Sequence, residues 1–101
     1  MKNIIVSEAF ELLKETGICA NESEFSEYWL GHSDCYLRTL RFKRSEPSLG
    51  SLAICGVRLQ NAGEQMLGSR RYKKLGVRLI EMGEKFNQQV NEQCIELELT
   101  E

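Results

Sequence analysis

Hydrophobic positions recur at helical spacing along nearly the whole chain. The first segment carries one apolar stripe between charged residues, which predicts a helix over about residues 4–15. Thr16 and Gly17 follow, and glycine suits the left-handed residue that commonly ends a helix. The stripe consists of Ile5, Ala9, Phe10, Leu12 and Leu13.

Two short helices separated by a glycine are predicted next. Asn21 or Ser23 is a suitable N-cap for the first of them, which ends at Gly31. Ser33 would cap the second, which runs over about residues 34–43. The apolar residues expected to hold the pair together are Phe25, Trp29, Leu30, Leu37 and Leu40.

A fourth helix opens after Ser48 and ends near Gly68, with Leu52, Cys55, Gly56 and Leu59 on its inward face. Ser69 would cap a long fifth helix whose apolar positions step by 3, 4, 3 and 4 residues. Those positions are Tyr72, Leu75, Leu79, Met82 and Phe86.

The stripe of the fifth helix has two possible partners. We favour a second copy of the chain, because a domain of this size buries a small core and benefits from dimerisation. The alternative is that the stripe packs on the same chain. Gly76 and Gly83 lie seven residues apart beside it and would let a neighbouring helix approach closely.

The C-terminal residues change period. Ile95, Leu97 and Leu99 alternate with Glu96 and Glu98, a pattern that suits a short terminal strand. A frayed helix end explains it equally well, since a lone strand would need a partner. The predicted fold class is therefore all-α, a small helical domain with a helix-turn-helix and a long C-terminal helix that ends either in this short strand or in a frayed turn.

Length and composition limit the size of the protein and its class. With 101 residues, 42% of them hydrophobic, we expect a domain over residues 1–67 and a C-terminal helical extension over 68–101 that serves dimerisation. No apolar run approaches about 20 residues, so no membrane contact is expected. The N-terminus turns acidic too soon for a secretory signal, which favours a cytoplasmic location.

Charge is distributed unevenly. Residues 1–31 carry a net charge of −4, residues 32–78 carry +7 and residues 79–101 carry −5. Clustering of this kind indicates one positive face, which is typical of proteins that bind nucleic acid. Solvated helix faces that happen to cluster would give the same pattern.

Catalytic and metal-binding patterns are missing from the sequence. The four cysteines, Cys19, Cys35, Cys55 and Cys94, include no pair at the spacing of a zinc half-site, and His32 is the only histidine. There is no glycine-rich phosphate loop and no nucleophile–base arrangement. We expect neither metal nor cofactor, and a protein that is not an enzyme.

The layout of residues 23–44 is the most specific feature: a short helix, a glycine turn and a second short helix. Residues 31–40 (GHSDCYLRTL) and 46–59 (EPSLGSLAICGVRL) resemble the Cro/C1-type, or XRE-type, helix-turn-helix family. The first helix is one residue longer than in that pattern. The glutamine that the family often has at its start is not evident, and Ser23 or Glu24 occupies the region.

The resemblance implies a DNA-binding transcription regulator that acts as a homodimer on double-stranded DNA. Its second helix, about residues 33–44, would enter the major groove. Arg38 would read guanine, Asp34 would accept from cytosine or repel the DNA backbone, and cations at the helix end would neutralise phosphates. The implied DNA-binding residues are Ser33, Asp34, Cys35, Tyr36, Arg38, Thr39, Arg41, Lys43 and Arg44.

A second function stays open at this point. Helix-turn-helix units also occur as plain packing units, because fold alone does not fix function. The alternative is a non-enzymatic protein–protein interaction module or inhibitor, of phage or plasmid type, on the same scaffold. A second basic cluster, Arg70, Arg71, Lys73, Lys74 and Arg78, would extend a DNA footprint if it shared the same face, or contact an acidic partner if it did not.

Overall fold

Five helices follow one another in the computed structural model, which describes the backbone of residues 2–100 and the side chains of residues 4–97. The predicted all-α class is confirmed. The second helix, α2, begins as an α-helix and continues as a π-helical turn. The helices are α1 Lys2–Glu15, α2 Glu22–Glu24 with Phe25–Trp29, α3 Tyr36–Lys43, α4 Leu49–Leu67 and α5 Lys73–Thr100.

The alternating C-terminal residues form no strand. Helix α5 continues to Thr100, and Ile95 and Leu97 are exposed on it. No neighbouring strand lies within the described residues to pair with this segment, whereas a helix satisfies its own backbone groups. The strand prediction is therefore wrong, and the side chain of Leu99 lies outside the described residues.

Helices α4 and α5 form an antiparallel hairpin at very short distance. A Cβ atom added to Gly63 would lie 2.6 Å from the carbonyl oxygen of Gly76, and one added to Gly83 would lie 2.9 Å from that of Gly56. Such contacts are possible only between glycines. The prediction that Gly76 and Gly83 admit a close helix is confirmed, and the neighbour is α4 of the same chain.

The apolar stripe of α5 packs inside the chain. Leu79 and Phe86 are fully buried, and Leu75 and Met82 are half-buried against the same core. Tyr72 precedes α5 and is 45% exposed. The structure thus corrects the assignment of Leu75, Leu79, Met82 and Phe86 to a dimer seam, because the chain's own helices cover them. The assignment of Tyr72 stays a prediction.

The core joins α5 and α4 to the N-terminal helices. Helix α1 lies beside α5, where Lys85 Nζ is 3.7 Å from the carboxylate of Glu8. The Phe10 and Phe25 rings meet edge to face at 5.4 Å, which joins α1 to α2. Within the described residues, the two predicted segments therefore share one core. The core cluster outside α5 consists of Ile5, Val6, Ala9, Leu12, Leu13, Cys19, Phe25, Trp29, Leu30, Leu52, Cys55 and Leu59.

Several helix ends are where the sequence places them. Gly17 has a φ of +78°, as expected for a left-handed residue after α1. The Glu24 N–H donates to the Asn21 side chain and the Ser51 N–H donates to Ser48 Oγ, so both predicted caps are confirmed. Ser69 does not cap α5, which begins only at Lys73. In the part of the chain that the structure describes, each helix is too short or too polar to span a membrane.

Candidate nucleic-acid interface

Helix α2 contains a π-helical turn at Phe25–Trp29. The Leu30 N–H donates to the Phe25 carbonyl at 3.1 Å, five residues back instead of four. A π turn of this kind holds one more residue than an α turn and is frequent at functional sites. Phe25, Trp29 and Leu30 still reach the core. The π turn therefore adds one residue to α2 while its apolar side chains remain packed in the core.

Gly31 forms the turn that follows. Its φ is +66°, and a Cβ atom there would lie 3.1 Å from the Ile54 side chain on α4. Both conformation and space therefore favour glycine at this position. Next along the chain, the His32 ring stacks on the Tyr36 ring with centroids 3.7 Å apart, which fixes the turn against the start of α3.

Helix α3 begins later than the sequence predicts. Cys35 is its N-cap residue and its side chain makes no capping hydrogen bond. The Tyr36 N–H instead donates to the Ser33 carbonyl at 3.1 Å, in a turn that precedes the helix. The prediction that Ser33 caps α3 is therefore wrong, because residues 33–36 form a turn before the helix begins and the Ser33 carbonyl, not its hydroxyl, accepts the hydrogen bond. Ser33, Asp34 and Cys35 are exposed in this turn.

The Cys35 thiol has a polar environment. Hydrogen bonds with the side chains of Ser33 and then Thr39 hold the pKa of Cys35 below its ordinary value. Burial has the opposite effect on Cys55, where it raises the thiol pKa. Cys55 is a core residue, as the sequence predicts, whereas Cys35 lies at the surface beside α3.

Helix α3 is anchored on one side. Leu37 and Leu40 are half-buried and, with Val6 and Phe10 of α1, line a groove of about 340 Å³. The Leu37 N–H donates to Ser26 Oγ at 3.4 Å. No residue of α3 is fully buried, so the helix lies on the core rather than in it.

Tyr36 is part of this anchor. Its hydroxyl oxygen accepts from the Ser48 N–H at 3.0 Å and lies 3.4 Å from the Ser51 hydroxyl, which ties the start of α3 to the start of α4. Thr39 is half-buried on the same helix. Of the nine predicted DNA-contact residues, these two are half-buried and the other seven are exposed.

The outward side of α3 combines cations with an aromatic ring. Arg38 and Phe42 lie one helical turn apart, and Phe42 is 89% exposed. The sequence reasoning missed Phe42. Its helical spacing could have revealed it. Phe42 does not share the spacing of the inward leucines, Leu37 and Leu40, so its ring falls on the opposite side of the helix.

Arg41 is held by an acidic partner. Its guanidinium forms two hydrogen bonds with the Glu22 carboxylate, one of them 3.1 Å long, and joins α3 to α2. The bonds from Arg41 lower the pKa of Glu22. The stabilisation that this pair contributes is therefore present above the ordinary carboxyl pKa and is lost as the pH falls through the lowered value. Arg41 is the predicted phosphate contact whose charge is already balanced.

The end of α3 has an unusual backbone. Arg44 has a φ of +53°, the region that favours glycine, and its N–H donates to the Arg41 carbonyl. The Ser45 N–H closes the cap on the Leu40 carbonyl at 2.9 Å. An arginine at such a position keeps a cation beside Lys43, where the negative end of the helix dipole favours it.

The second basic cluster lies at the other end of α4. The 19 residues of α4 separate the α3–α4 connection from Arg70 and Arg71 by about 28 Å, at 1.5 Å per residue. The cluster therefore does not extend the basic end of α3 directly. In the described part of the chain, no group of three His, Cys, Asp or Glu residues is placed to hold a metal ion.

Fold and surface together define a small all-α protein that presents a short cationic helix beside a glycine turn. The chain belongs to DUF6626, a family of unknown function, whose model matches residues 6–99. No curated protein and no solved structure matches the chain.

Proposed function

We propose that the protein is a DNA-binding transcription regulator and that α3 is its recognition helix. The observation that carries the proposal is the division of α3 into two sides. Tyr36, Leu37 and Leu40 anchor one side, Arg38 is exposed on the other, and Lys43 and Arg44 are exposed at the helix end. A supported helix with a free cationic side suits insertion into the major groove.

Each exposed residue then has a distinct role. Arg38 donates to guanine O6 and N7, and Asp34 accepts from the cytosine amino group. Lys43 and Arg44 neutralise phosphates and fix the register of the helix. Arg41 contributes less to the affinity because Glu22 already occupies its guanidinium. Homodimerisation would place two such helices on paired half-sites.

Binding isotherms on random-sequence duplex DNA at two salt concentrations test the proposal. They are followed by selection from a randomised DNA pool. Salt-dependent binding that enriches a two-fold-symmetric motif supports a dimeric regulator. Absence of binding even at low salt contradicts the proposal.

Arg38→Ala is expected to cost about 1–3 kcal/mol on the selected site and to relax the preference at one base pair. The expected cause is loss of a bidentate contact with guanine. Isotherms on the selected site and on single-base variants measure both effects. Arg70→Ala is the control, since it removes an exposed cation beyond the far end of α4. Equal effects of the two substitutions would exclude Arg38 as a base-reading residue.

Glu22→Gln is expected to strengthen DNA binding by about two- to fivefold without changing the preferred sequence. The substitution keeps the shape of the side chain but releases the charge of Arg41 for a phosphate. Its isotherm should also show a steeper dependence on salt. Glu27→Gln removes an exposed carboxylate from the same helix without releasing an arginine, so it separates the two causes. Equal gains from both variants would mean that net charge alone acts.

A protein-binding module on the same helix is the second candidate. The observation that favours it is the exposed Phe42 ring beside arginines, since aromatic residues and arginine dominate protein–protein hot spots. If the chain binds no DNA, it serves as bait in a pull-down. A partner captured by the wild type and lost with Phe42→Ala would support this function.

A further inference from the structure

The charges of α5 run against its helix dipole. Lys73 and Lys74 open the helix with no acidic residue in the first turn, and the last turn contains no basic residue. The N-terminal end of a helix carries partial positive charge, so cations there and carboxylates near the opposite end are both unfavourable. The stability of an isolated helix therefore does not explain this arrangement.

Four of these charges lie on one side of α5. Lys74 and Arg78 are one turn apart, as are Glu92 and Glu96, and at 100° per residue all four fall within about 40° of one another. We call them the α5 charge stripe. All four are exposed, and the side of α5 that holds Leu79 and Phe86 points elsewhere.

The α5 charge stripe forms no ion pair with another described side chain. The ion pairs among residues 4–97 are Arg41 with Glu22 and Lys85 with Glu8. Glu92 accepts a hydrogen bond from the Gln88 amide at 3.3 Å, which leaves its charge uncompensated. These four charges are thus available to a partner.

We propose that the α5 charge stripe is a homodimer interface, in which α5 of a second copy lies antiparallel across a two-fold axis at position 85. Lys74 then faces Glu96 of the second copy and Arg78 faces its Glu92, because both pairs are centred on position 85. Each pair occurs twice, as an isologous interface requires. The cationic start of each helix meets the acidic end of the other, which relieves the unfavourable interaction of Lys74 with the helix dipole.

The axis lies beside α1, where Arg78 and Lys85 line a groove together with Glu8 and Glu11. Lys85 at the axis is balanced by Glu8, so two copies of an unpaired cation do not meet. Val77 and Ile95 are 42% and 56% exposed beside the stripe and would bury apolar area. Because Leu79 and Phe86 are buried within the chain, they cannot contact a second copy. The α5 charge stripe would form the dimer contact in their place.

The length of α5 supports the same conclusion. Contact of Gly63 with Gly76 and of Gly56 with Gly83 places the start of α4 opposite about residue 90 of α5. The last turns of α5 therefore extend past α4. In the antiparallel dimer, the basic start of the second copy's α5 lies beside them.

Sedimentation equilibrium of the full chain tests the interface with two charge-reversal variants, K74E/R78E and E92K/E96K. The wild type is expected to dimerise at low salt and to dissociate at about 1 M salt. Each variant alone is expected to dimerise at least about tenfold more weakly. An equimolar mixture of the two restores every facing pair and should form heterodimers. Glu24→Lys with Glu27→Lys is the control, because it reverses two exposed charges on α2.

Unfolding does not explain the expected loss of dimers. The K74E/R78E variant places carboxylates at the positive end of α5, so its monomer should melt no lower than the wild-type monomer. A wild type that is monomeric at about 100 μM and low salt would overturn the proposal. So would variants that stay dimeric, or a mixture that stays monomeric.

The inference rests on the proposed function only for the use of the dimer on paired DNA half-sites. The sedimentation experiment contains no DNA. A chain that dimerises as described and binds no DNA would therefore contradict the regulator function alone. A chain that binds DNA and fails the mixing experiment would contradict the interface alone.

Discussion

Gly63→Ala is expected to destabilise the protein by about 3 kcal/mol, a large part of the stability of a domain this small. The added Cβ atom would lie 2.6 Å from the Gly76 carbonyl oxygen and 3.0 Å from the Ile80 backbone nitrogen. Backbone atoms cannot move aside as a flexible side chain does, so α4 and α5 would have to separate. Urea denaturation should show the loss as a lower midpoint, and the melting temperature should fall by at least about 10 °C.

The same substitution elsewhere in α4 should have the opposite sign. At Gly50, the nearest atom to an added Cβ is Ser48 Oγ at 4.0 Å, so Gly50→Ala gains helix propensity without a clash. We expect it to stabilise the protein by about 0.5–1 kcal/mol. If Gly63→Ala proves as stable as Gly50→Ala, the close approach of the two helices described above is incorrect.

Local signals in the sequence predicted most of the fold. Gly17 and Gly31 adopt positive φ after α1 and α2, while Asn21 caps the start of α2 and Ser48 caps the start of α4. Each of these features could be predicted because it involves residues within one turn of the chain. The inward face of α4 also follows from helical spacing alone. These features depend on neighbours in the chain, which a single sequence displays directly.

Partners distant in the chain could not be predicted in this way. The stripe through Leu79 and Phe86 has the same spacing whether it meets α4 or a second molecule, so the pattern did not exclude a dimer seam. The pairing of Arg41 with Glu22 joins residues 19 apart, through a turn whose geometry depends on Gly31. Such contacts depend on how the helices pack against one another, and the helix propensity of single residues carries no information about that packing.

The surroundings of the candidate interface residues could be predicted only in part, because some of them depend on how α3 packs on its neighbours. Arg38, Lys43 and Arg44 are exposed, as a cationic helix requires, since charged residues on a short helix remain in solvent. Tyr36 was assigned to DNA but contacts Ser48 and Ser51, because its ring spans the space between α3 and α4. Phe42 breaks the inward register, and only the packing of α3 reveals how exposed it is.

The combined variant R38E/K43E/R44E is expected to weaken DNA binding by about three orders of magnitude, or about 4 kcal/mol. It removes one base contact and two phosphate contacts and places three carboxylates against the DNA. Arg41 is kept so that its bonds with Glu22 still join α3 to α2. The salt dependence should also fall, with a slope smaller by about 0.9 for each lost phosphate contact.

The matched control reverses the same number of charges at the other end of α4. R70E/R71E/K73E changes the net charge by the same amount but lies about 28 Å from the α3–α4 connection, at 1.5 Å per residue of α4. On a single half-site, where the proposed α5 dimer is not needed, it should slow association through the weaker overall field while leaving the selected motif unchanged. If the two triple variants lose equal affinity, α3 acts only as part of a diffuse positive surface. A large difference would assign sequence reading to α3, because both variants carry the same net charge.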